Sequence, residues 1–351
     1  MRNAVFSALF LIVSTFSFPA VAQQEGTFTI PDFKFEKGGQ LSNMKVGYMT
    51  WGKLNDAKDN ALLILPATNA PKAWAAYHIG PGKTFDSDKY FIIGVDPIGS
   101  GTSSQPKDGL GVDFPKYSIR DMVRAQHELL TKHFGLTQAF AIGGASMGSF
   151  QSIEWGINYP GFAKGLLLWV PAARGDRHFH AIIDAVNAVI TLDPTYKNGK
   201  YDSQPVEGMR RAGMVYFPWL YSDEYLAQLT KNDDFDRAKM AFGDSWAKTW
   251  DANTLIWRYE ASRNHDASEP FGGDMRKALA RINVPVMIVS SSSDRTVPAY
   301  LTDELEKGLS NVQRVVLETR NGHLGYLQQP GTPEYQKLSD VSRAFLESLR
   351  K

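Results

Sequence analysis

The sequence predicts an α/β protein with a mostly parallel, doubly wound sheet and a helical insertion that folds over one sheet edge as a lid. Three observations lead to this prediction. Short apolar runs bounded by turn residues alternate with segments of helical periodicity. Several of these runs are apolar throughout, which is typical of parallel strands covered by helices on both faces. One long helical segment then interrupts the alternation between two strands.

The first residues are predicted to be an export signal that is not part of the fold. Arg2 gives a basic start, residues 4–16 are mainly apolar, and Pro19-Ala20-Val21-Ala22 places small residues before Gln23. The apolar run is shorter than the roughly 20 residues that a membrane span needs. We therefore expect a signal peptide over 1–22, cleavage after Ala22, and a periplasmic or secreted mature protein. A buried N-terminal helix is the alternative.

Composition narrows the classes of function. The chain has 38 basic and 37 acidic residues, so no charge excess indicates nucleic acid or an anionic membrane surface as a partner. It has no cysteine, which excludes disulfides, thiolate metal sites and a cysteine nucleophile. After the first residues no segment is long and apolar enough to predict membrane insertion. A small-molecule substrate is the partner that we expect.

The alternation of strands and helices can be followed along the mature chain. Seven apolar runs are predicted as strands, over 44–50, 61–65, 90–95, 139–142, 165–170, 286–290 and 314–317. A helix is expected after Ser118, which is a suitable N-cap, and another over 148–158. The lid is predicted over about 175–281. It is rich in tryptophan and tyrosine, which either pack within the lid or line a substrate pocket.

The strongest chemical signal is Gly144-Ala145-Ser146-Met147-Gly148. It matches G-x-S-x-G, the strand-to-helix turn that exposes a nucleophilic serine in the α/β-hydrolase fold. The motif is short, but here it follows a predicted strand and precedes a predicted helix, as that fold requires. Ser146 is therefore predicted to be a nucleophile. A glycine-rich turn with an uninvolved serine is the alternative.

A serine hydroxyl needs a base, and the base needs an acid that holds it in one tautomer. In this fold the order along the chain is serine, acid, histidine. Asp294 follows the strand predicted over 286–290, and His323 follows the strand predicted over 314–317. Both are expected at the carboxyl edge of the sheet, beside Ser146. Alternatively, Asp294 caps the next helix and His323 is a surface-loop histidine.

The tetrahedral oxyanion needs two N–H donors. One should be the backbone of Met147, and the other the backbone of Thr68 or, failing that, Ala67, in the loop after the strand 61–65. No metal or organic cofactor is expected. His178 and His180 lack a nearby carboxylate cluster that would favour a metal site, and the glycine-rich loop after Asp96 lacks the spacing of a phosphate-binding motif.

Over almost all of the mature chain the sequence resembles the homoserine O-acetyltransferase family of α/β-hydrolase-fold enzymes. The segments that carry the resemblance are 80–83, 90–91, 119–126, 146–148, 154–155, 172–174, 193–194, 251–253 and 322–323. The resemblance implies the same triad, a helical lid and a homodimer. Tyr216 matches a tyrosine of the family's lid.

Two departures from the family concern its acceptor amino acid. The family holds the acceptor's carboxylate with an arginine, at a position occupied by Asn187 here, and its ammonium group with an aspartate, where Leu324 stands here. A buried zwitterion needs both charges met. The sequence therefore favours an exported serine hydrolase that cleaves an ester, or less readily an amide or lactone. An O-acyltransferase with a different acceptor and a non-catalytic binding protein are the alternatives.

Overall fold

A computed structural model describes residues 24–229 and 232–351; the predicted signal peptide lies outside these residues. Eight strands of the described chain form one sheet, in the order β1-β2-β4-β3-β5-β6-β7-β8. Their bounds are β1 Gln24–Lys34, β2 Gln40–Trp51, β3 Ala61–Leu65, β4 Phe91–Val95, β5 Ala141–Ala145, β6 Leu166–Trp169, β7 Val286–Ser291 and β8 Val312–Leu317.

The strands from β3 to β8 are parallel, and β1 and β2 add an antiparallel edge. The predicted fold class, a mostly parallel doubly wound sheet with a helical insertion, is confirmed. The prediction missed β1. This edge strand contains Gly26 and Pro31, two residues that weaken strand propensity, and much of it is exposed, so it lacks the long apolar run of the central strands.

Helices cover both faces of the sheet. In chain order they are α1 Ile119–Glu128, α2 Met147–Asn158, α3 Arg177–Thr191, α4 Val206–Leu220, α5 Asp223–Gln228, α6 Asn232–Thr249, α7 Ala252–Arg263, α8 Met275–Leu279, α9 Ala299–Gly308 and α10 Pro333–Ser348. Helices α3 to α8 form the insertion between β6 and β7, in the segment that the sequence analysis predicts as a lid. No helix among the described residues has the length and apolar character of a membrane span.

Alternate residues of the central strands supply two hydrophobic cores. Leu63 of β3 belongs to the core that contains Met122 of α1 and Ile153 of α2. Its neighbour Leu62 belongs to the core on the opposite face, with Leu338 of α10. Because both faces are covered, β3 is buried along its whole length. Each such aliphatic side chain contributes roughly 1.5–3 kcal/mol on full burial, which is why these strands are apolar without alternation.

A buried charged cluster ties α2 to α1. Oε1 of Glu154 lies 3.7 Å from Nη1 of Arg120 and 3.6 Å from Nδ1 of His265. The Asn158 amide donates to the other oxygen at 2.7 Å. Burial raises the pKa of Glu154 to about 7, although Arg120 and Asn158 both act to lower it. Arg120 also pairs with Glu36, so Glu154 is not its sole counter-charge.

This cluster predicts a pH dependence of stability. The pKa of Glu154 rises from 4.5 to about 7 on folding, so between these values the folded protein binds more protons than the unfolded chain. Stability should therefore fall as pH rises through this window. Glu154→Gln should remove part of that fall, on the order of 2 kcal/mol in the free energy of unfolding between about pH 5 and pH 8.

Urea unfolding at the two pH values measures the effect. Glu128→Gln is the control, because Glu128 lies on the outer side of α1, in an ion pair with Lys132. An equal pH dependence in wild type and Glu154→Gln would contradict the prediction.

Candidate active site

Ser146 occupies a strained turn between β5 and α2. Its backbone dihedral angles are φ 53° and ψ −121°, a region that residues other than glycine rarely adopt. Such a conformation costs about 1–3 kcal/mol and persists only when the surrounding structure imposes it. Part of that constraint is the Ser146 N–H, which donates to the Trp169 carbonyl of β6 at 2.9 Å. The turn has the geometry of a nucleophile elbow.

The two glycines of the motif are required by close backbone approach. A Cβ at Gly148 would lie 2.1 Å from the carbonyl oxygen of Leu65, at the end of β3, and 3.0 Å from that of Pro66. A Cβ at Gly144 would lie 2.5 Å from the carbonyl carbon of Gly148. All of these neighbours are backbone atoms, which cannot swing aside as a side chain can. The motif therefore brings the start of α2 against the loop that leaves β3.

Asp294 and His323 form the second part of the site. Nδ1 of His323 lies 2.7 Å from Oδ2 of Asp294. The other carboxylate oxygen accepts the N–H groups of Thr296 and Val297 at 2.9 and 2.8 Å. Asp294 thus orients the imidazole with one oxygen and stabilises its own loop with the other. The two side chains are only 3% and 4% exposed, so water does not compete for the contact.

Side-chain hydrogen bonds join the end of β7 and the segment after it, which carries Asp294, to the segment after β8, which carries His323. The Ser291 hydroxyl donates to the Gly322 carbonyl at 2.7 Å, and the Ser293 hydroxyl donates to the Thr319 carbonyl at 2.6 Å. Gly322 has φ 58°, and a Cβ there would lie 2.6 Å from the Leu220 carbonyl at the end of α4. The insertion therefore packs directly on the histidine loop.

The three predicted catalytic residues lie beyond the carboxyl ends of parallel strands in one sheet. Ser146 follows β5, Asp294 follows β7 and His323 follows β8. The carboxyl ends of parallel strands share one sheet edge, where ligands bind in such folds. The structure joins Asp294 to His323 by a hydrogen bond, and the transfer of the Ser146 proton to Nε2 of His323 stays a prediction.

Of the two predicted oxyanion donors, Met147 lies in the elbow and Thr68 lies in the loop after β3. Met147 is the first residue of α2, where an N–H has no acceptor within the helix and the positive end of the helix dipole lies. Thr68 is buried three residues beyond the end of β3. The loop that carries it follows Leu65 and Pro66, the two carbonyls against which Gly148 packs.

Helix α7 braces that loop, which the sequence did not predict. The Asn69 amide donates to the Tyr259 hydroxyl at 2.8 Å, and the hydroxyls of Thr68 and Ser262 lie 3.5 Å apart. The sequence of α7 did contain an indication of this contact. The helix is buried on nearly all sides, and several of its buried side chains are polar. Such side chains require partners, and here some of the partners are in the β3 loop.

The predicted pocket residues lie on three elements. Tyr216 of α4 is buried, its ring centroid is 5.5 Å from that of Tyr259, and burial raises the pKa of its phenol. The Asn187 amide on α3 donates to Oε1 of Glu260 at 2.9 Å. Leu324 follows His323 and is partly buried against the core. Their roles in substrate binding stay predictions.

His178 of the His178/His180 pair has a ring nitrogen 2.7 Å from the Arg295 carbonyl. Across residues 24–229 and 232–351, no group of three histidine or carboxylate side chains is arranged to hold a metal ion.

Comparison with known proteins identifies similar sequences. Residues 60–330 match the family model for the alpha/beta hydrolase fold. A homoserine O-acetyltransferase from Chlorobaculum parvum is 32% identical over 330 residues, covering 88% of this chain and 92% of the relative. One from Trichormus variabilis is 31% identical over 336 residues, covering 88% and 91%.

Solved structures with the same architecture include two esterases. The chain aligns with an acetylester hydrolase from Corynebacterium glutamicum with a TM-score of 0.87 and 27% identity, over 92% of this chain and 96% of that one. It aligns with the acetyl esterase MekB with a TM-score of 0.85 and 27% identity, over 93% and 96%.

The steric requirement at the elbow predicts the effect of one added methyl group. Gly148→Ala should displace α2 from the loop after β3, because its Cβ would be 2.1 Å from the Leu65 carbonyl oxygen. A shift of this kind at a reacting centre costs about 10²-fold in rate. We expect a loss of that size in the rate at which Ser146 reacts with a fluorophosphonate probe.

Gly156→Ala, on the same helix, is the matched control. Its Cβ would meet the side-chain ends of Leu166 and Ile282, which can move. Equal labelling rates for Gly148→Ala and wild type would show that the backbone contact does not govern the nucleophile.

Proposed function

The chain belongs to the α/β-hydrolase fold family, among the relatives of the homoserine O-acetyltransferases, and we propose that it is a serine hydrolase that cleaves esters of short acyl groups. The observation that carries this proposal is the bonded Asp294–His323 pair at the sheet edge that also holds the strained Ser146 turn. Similarity to two acetyl-ester-cleaving enzymes over more than nine-tenths of the chain supports a short acyl group.

In the proposed reaction the Ser146 oxygen attacks the ester carbonyl while Nε2 of His323 takes the hydroxyl proton. The carbonyl π electrons move to oxygen, and the N–H groups of Met147 and Thr68 stabilise the resulting oxyanion. Collapse expels the alkoxide, which takes the proton from His323, and leaves an acyl-enzyme. Water then attacks, with His323 as base, and releases the acid and Ser146. Asp294 holds the imidazole in the required tautomer throughout.

Water is proposed as the acyl acceptor because neither of the two positions that hold an amino acid in the resembled family, Asn187 and Leu324, carries a charge here. Leu324, beside His323, is apolar, and the Asn187 amide is engaged with Glu260. A zwitterion that loses water without gaining counter-charges is bound at a large cost in free energy. Water and neutral alcohols carry no such cost.

An O-acyltransferase is the second candidate, and the observation that favours it is the identity of 31–32% to homoserine O-acetyltransferases. The two activities share the acyl-enzyme and differ in what resolves it. The test must therefore compare acceptors as well as donors.

We expect purified protein to hydrolyse acetyl and butyryl esters of p-nitrophenol with turnover that Ser146→Ala lowers by at least about 10³-fold. With acetyl-CoA and homoserine we expect no acetylhomoserine above the level of the Ser146→Ala variant. Product analysis by mass spectrometry separates the released acid from a transferred acyl group.

Each other outcome identifies an alternative. Efficient homoserine acetylation would overturn the proposal and the argument from Asn187 and Leu324. Absence of both activities, together with absence of fluorophosphonate labelling at Ser146, would favour the non-catalytic binding protein.

We further propose that the protein is exported. Support comes from the basic start, the apolar run and the small residues Ala20 and Ala22 before Gln23. When the full chain is expressed in a Gram-negative host, the periplasmic fraction should contain a protein that begins at Gln23. Ala22→Arg should block processing, because the cleavage enzyme needs a small residue there. A full-length wild-type chain retained in the cytoplasm would contradict the proposal.

A further inference from the structure

Arg258 of α7 is a buried cation beside the loop that carries Thr68. It is 0% exposed, and one guanidinium nitrogen, Nη2, donates to the Ala67 carbonyl at 3.2 Å. Nη1 lies 3.5 Å from the Gly99 carbonyl, and the guanidinium carbon is 4.9 Å from the ring centroid of Trp250. Within 24–229 and 232–351 these contacts include no carboxylate ion pair, and Nε has no partner.

Packing alone is a poor explanation for this residue. A buried charge without a paired carboxylate is costly, and an apolar side chain of similar length would fill the space without that cost. Burial accordingly lowers the pKa of Arg258 to about 10, which still leaves the guanidinium charged at neutral pH. A charge retained against such a cost indicates an electrostatic role for its contact with the β3 loop.

The carbonyl that accepts from Arg258 belongs to the peptide bond between Ala67 and Thr68. The C=O of Ala67 and the N–H of Thr68 are the two ends of one planar peptide, which is trans because the described chain has no cis peptide bond. In a trans peptide the carbonyl and the N–H point in opposite directions. A cation on the Ala67 oxygen therefore fixes which way the Thr68 N–H points, and it draws electron density away from that N–H.

We propose that Arg258 is a positioning residue for the oxyanion hole, acting through the Ala67–Thr68 peptide. The inference rests on the proposed function, in which Thr68 is the second oxyanion donor. The same carbonyl also accepts the Ala70 N–H at 3.2 Å, a turn bond that keeps the loop folded without Arg258. Arg258 adds the positive charge, whose effect on the Thr68 N–H grows as the oxyanion forms.

Helix α7 lies against the loop after β3, and Arg258 is one of three α7 residues that contact it. Tyr259 contacts Asn69 and Ser262 contacts Thr68, so neighbouring positions of α7 meet neighbouring positions of the loop. Tyr259 and Ser262 hold side chains of the loop, whereas Arg258 holds the backbone of the reacting peptide. Loss of Arg258 should therefore weaken the donor and leave the loop anchored.

The test compares Arg258→Met and Arg258→Lys with wild type. Full loss of an oxyanion donor lowers kcat about 10²–10³-fold, and a weakened donor should cost less. We expect Arg258→Met to lower kcat on p-nitrophenyl acetate about 10- to 100-fold, with KM changed by less than about 3-fold. Arg258→Lys, which keeps a charged donor, should recover part of the loss. Active sites are counted by fluorophosphonate labelling, so that kcat refers to folded protein.

A second readout separates a positioning role from a merely structural one. An aryl trifluoromethyl ketone adds to Ser146 and places an oxyanion in the hole, whereas acetamide derivatives of the same aryl group stay uncharged. Arg258→Met should weaken the affinity for the ketone by the same factor by which it lowers kcat. The affinity for the amide should change by less than about 2-fold.

Tyr117→Phe is the matched control. Its hydroxyl is buried beside Gly99, as the Arg258 side chain is, and has no hydrogen-bond partner among the described residues. Its removal should therefore change neither readout by more than about 2-fold. Unchanged ketone affinity in Arg258→Met would overturn the inference, whatever happens to kcat. If wild type hydrolyses no ester, the proposed function fails, and the ketone affinities still decide the role of Arg258.

Discussion

The contact between the end of β3 and the start of α2 is the constraint on which the site depends. At Gly148 the backbone of the elbow helix packs on the Leu65 carbonyl with no room for a side chain. That approach keeps Ser146 in its left-handed conformation at the turn. It also brings the chain that leaves β3 alongside the first N–H groups of α2. The predicted nucleophile and the predicted oxyanion loop are thus positioned by one backbone contact, which the glycines permit.

The helical insertion is part of this arrangement as well as a cover. The end of α4 packs against the histidine loop at Gly322, and α7 contacts consecutive residues of the β3 loop. The sheet fixes where the reacting groups lie, because its strands deliver them to one edge. The insertion fixes how two of the loops are held beyond that edge. A displacement of α4 or α7 would therefore be transmitted to the histidine and to the oxyanion loop before it reached the nucleophile.

The sequence predicted what local patterns determine. Uninterrupted apolar runs identified the central strands, and the glycine spacing around Ser146 identified the elbow, because both follow from requirements within a few residues. The contact between Asp294 and His323 was predictable from chain order in the fold, and their catalytic roles stay predictions. The bracing by α7 was not predictable, because Tyr259 and Asn69 are 190 positions apart and nothing local pairs them. Strand β1 was missed because an exposed edge strand with Gly26 and Pro31 lacks the apolar run of a buried strand.

In the proposed reaction, the catalytic and the acceptor-binding functions fall on different elements. The elbow and the acid–base pair depend on strand ends and glycine contacts, which tolerate almost no substitution. Asn187 lies on α3, a helix of the insertion, and Leu324 follows His323 in a short 3-10 helix; neither side chain takes part in the Asp294–His323 bond. In the proposed site, substitution at these positions removes the charges that an amino acid acceptor needs and leaves the proposed acyl-enzyme chemistry intact. A fold arranged in this way can therefore exchange one acceptor for another, and water requires the fewest contacts of any.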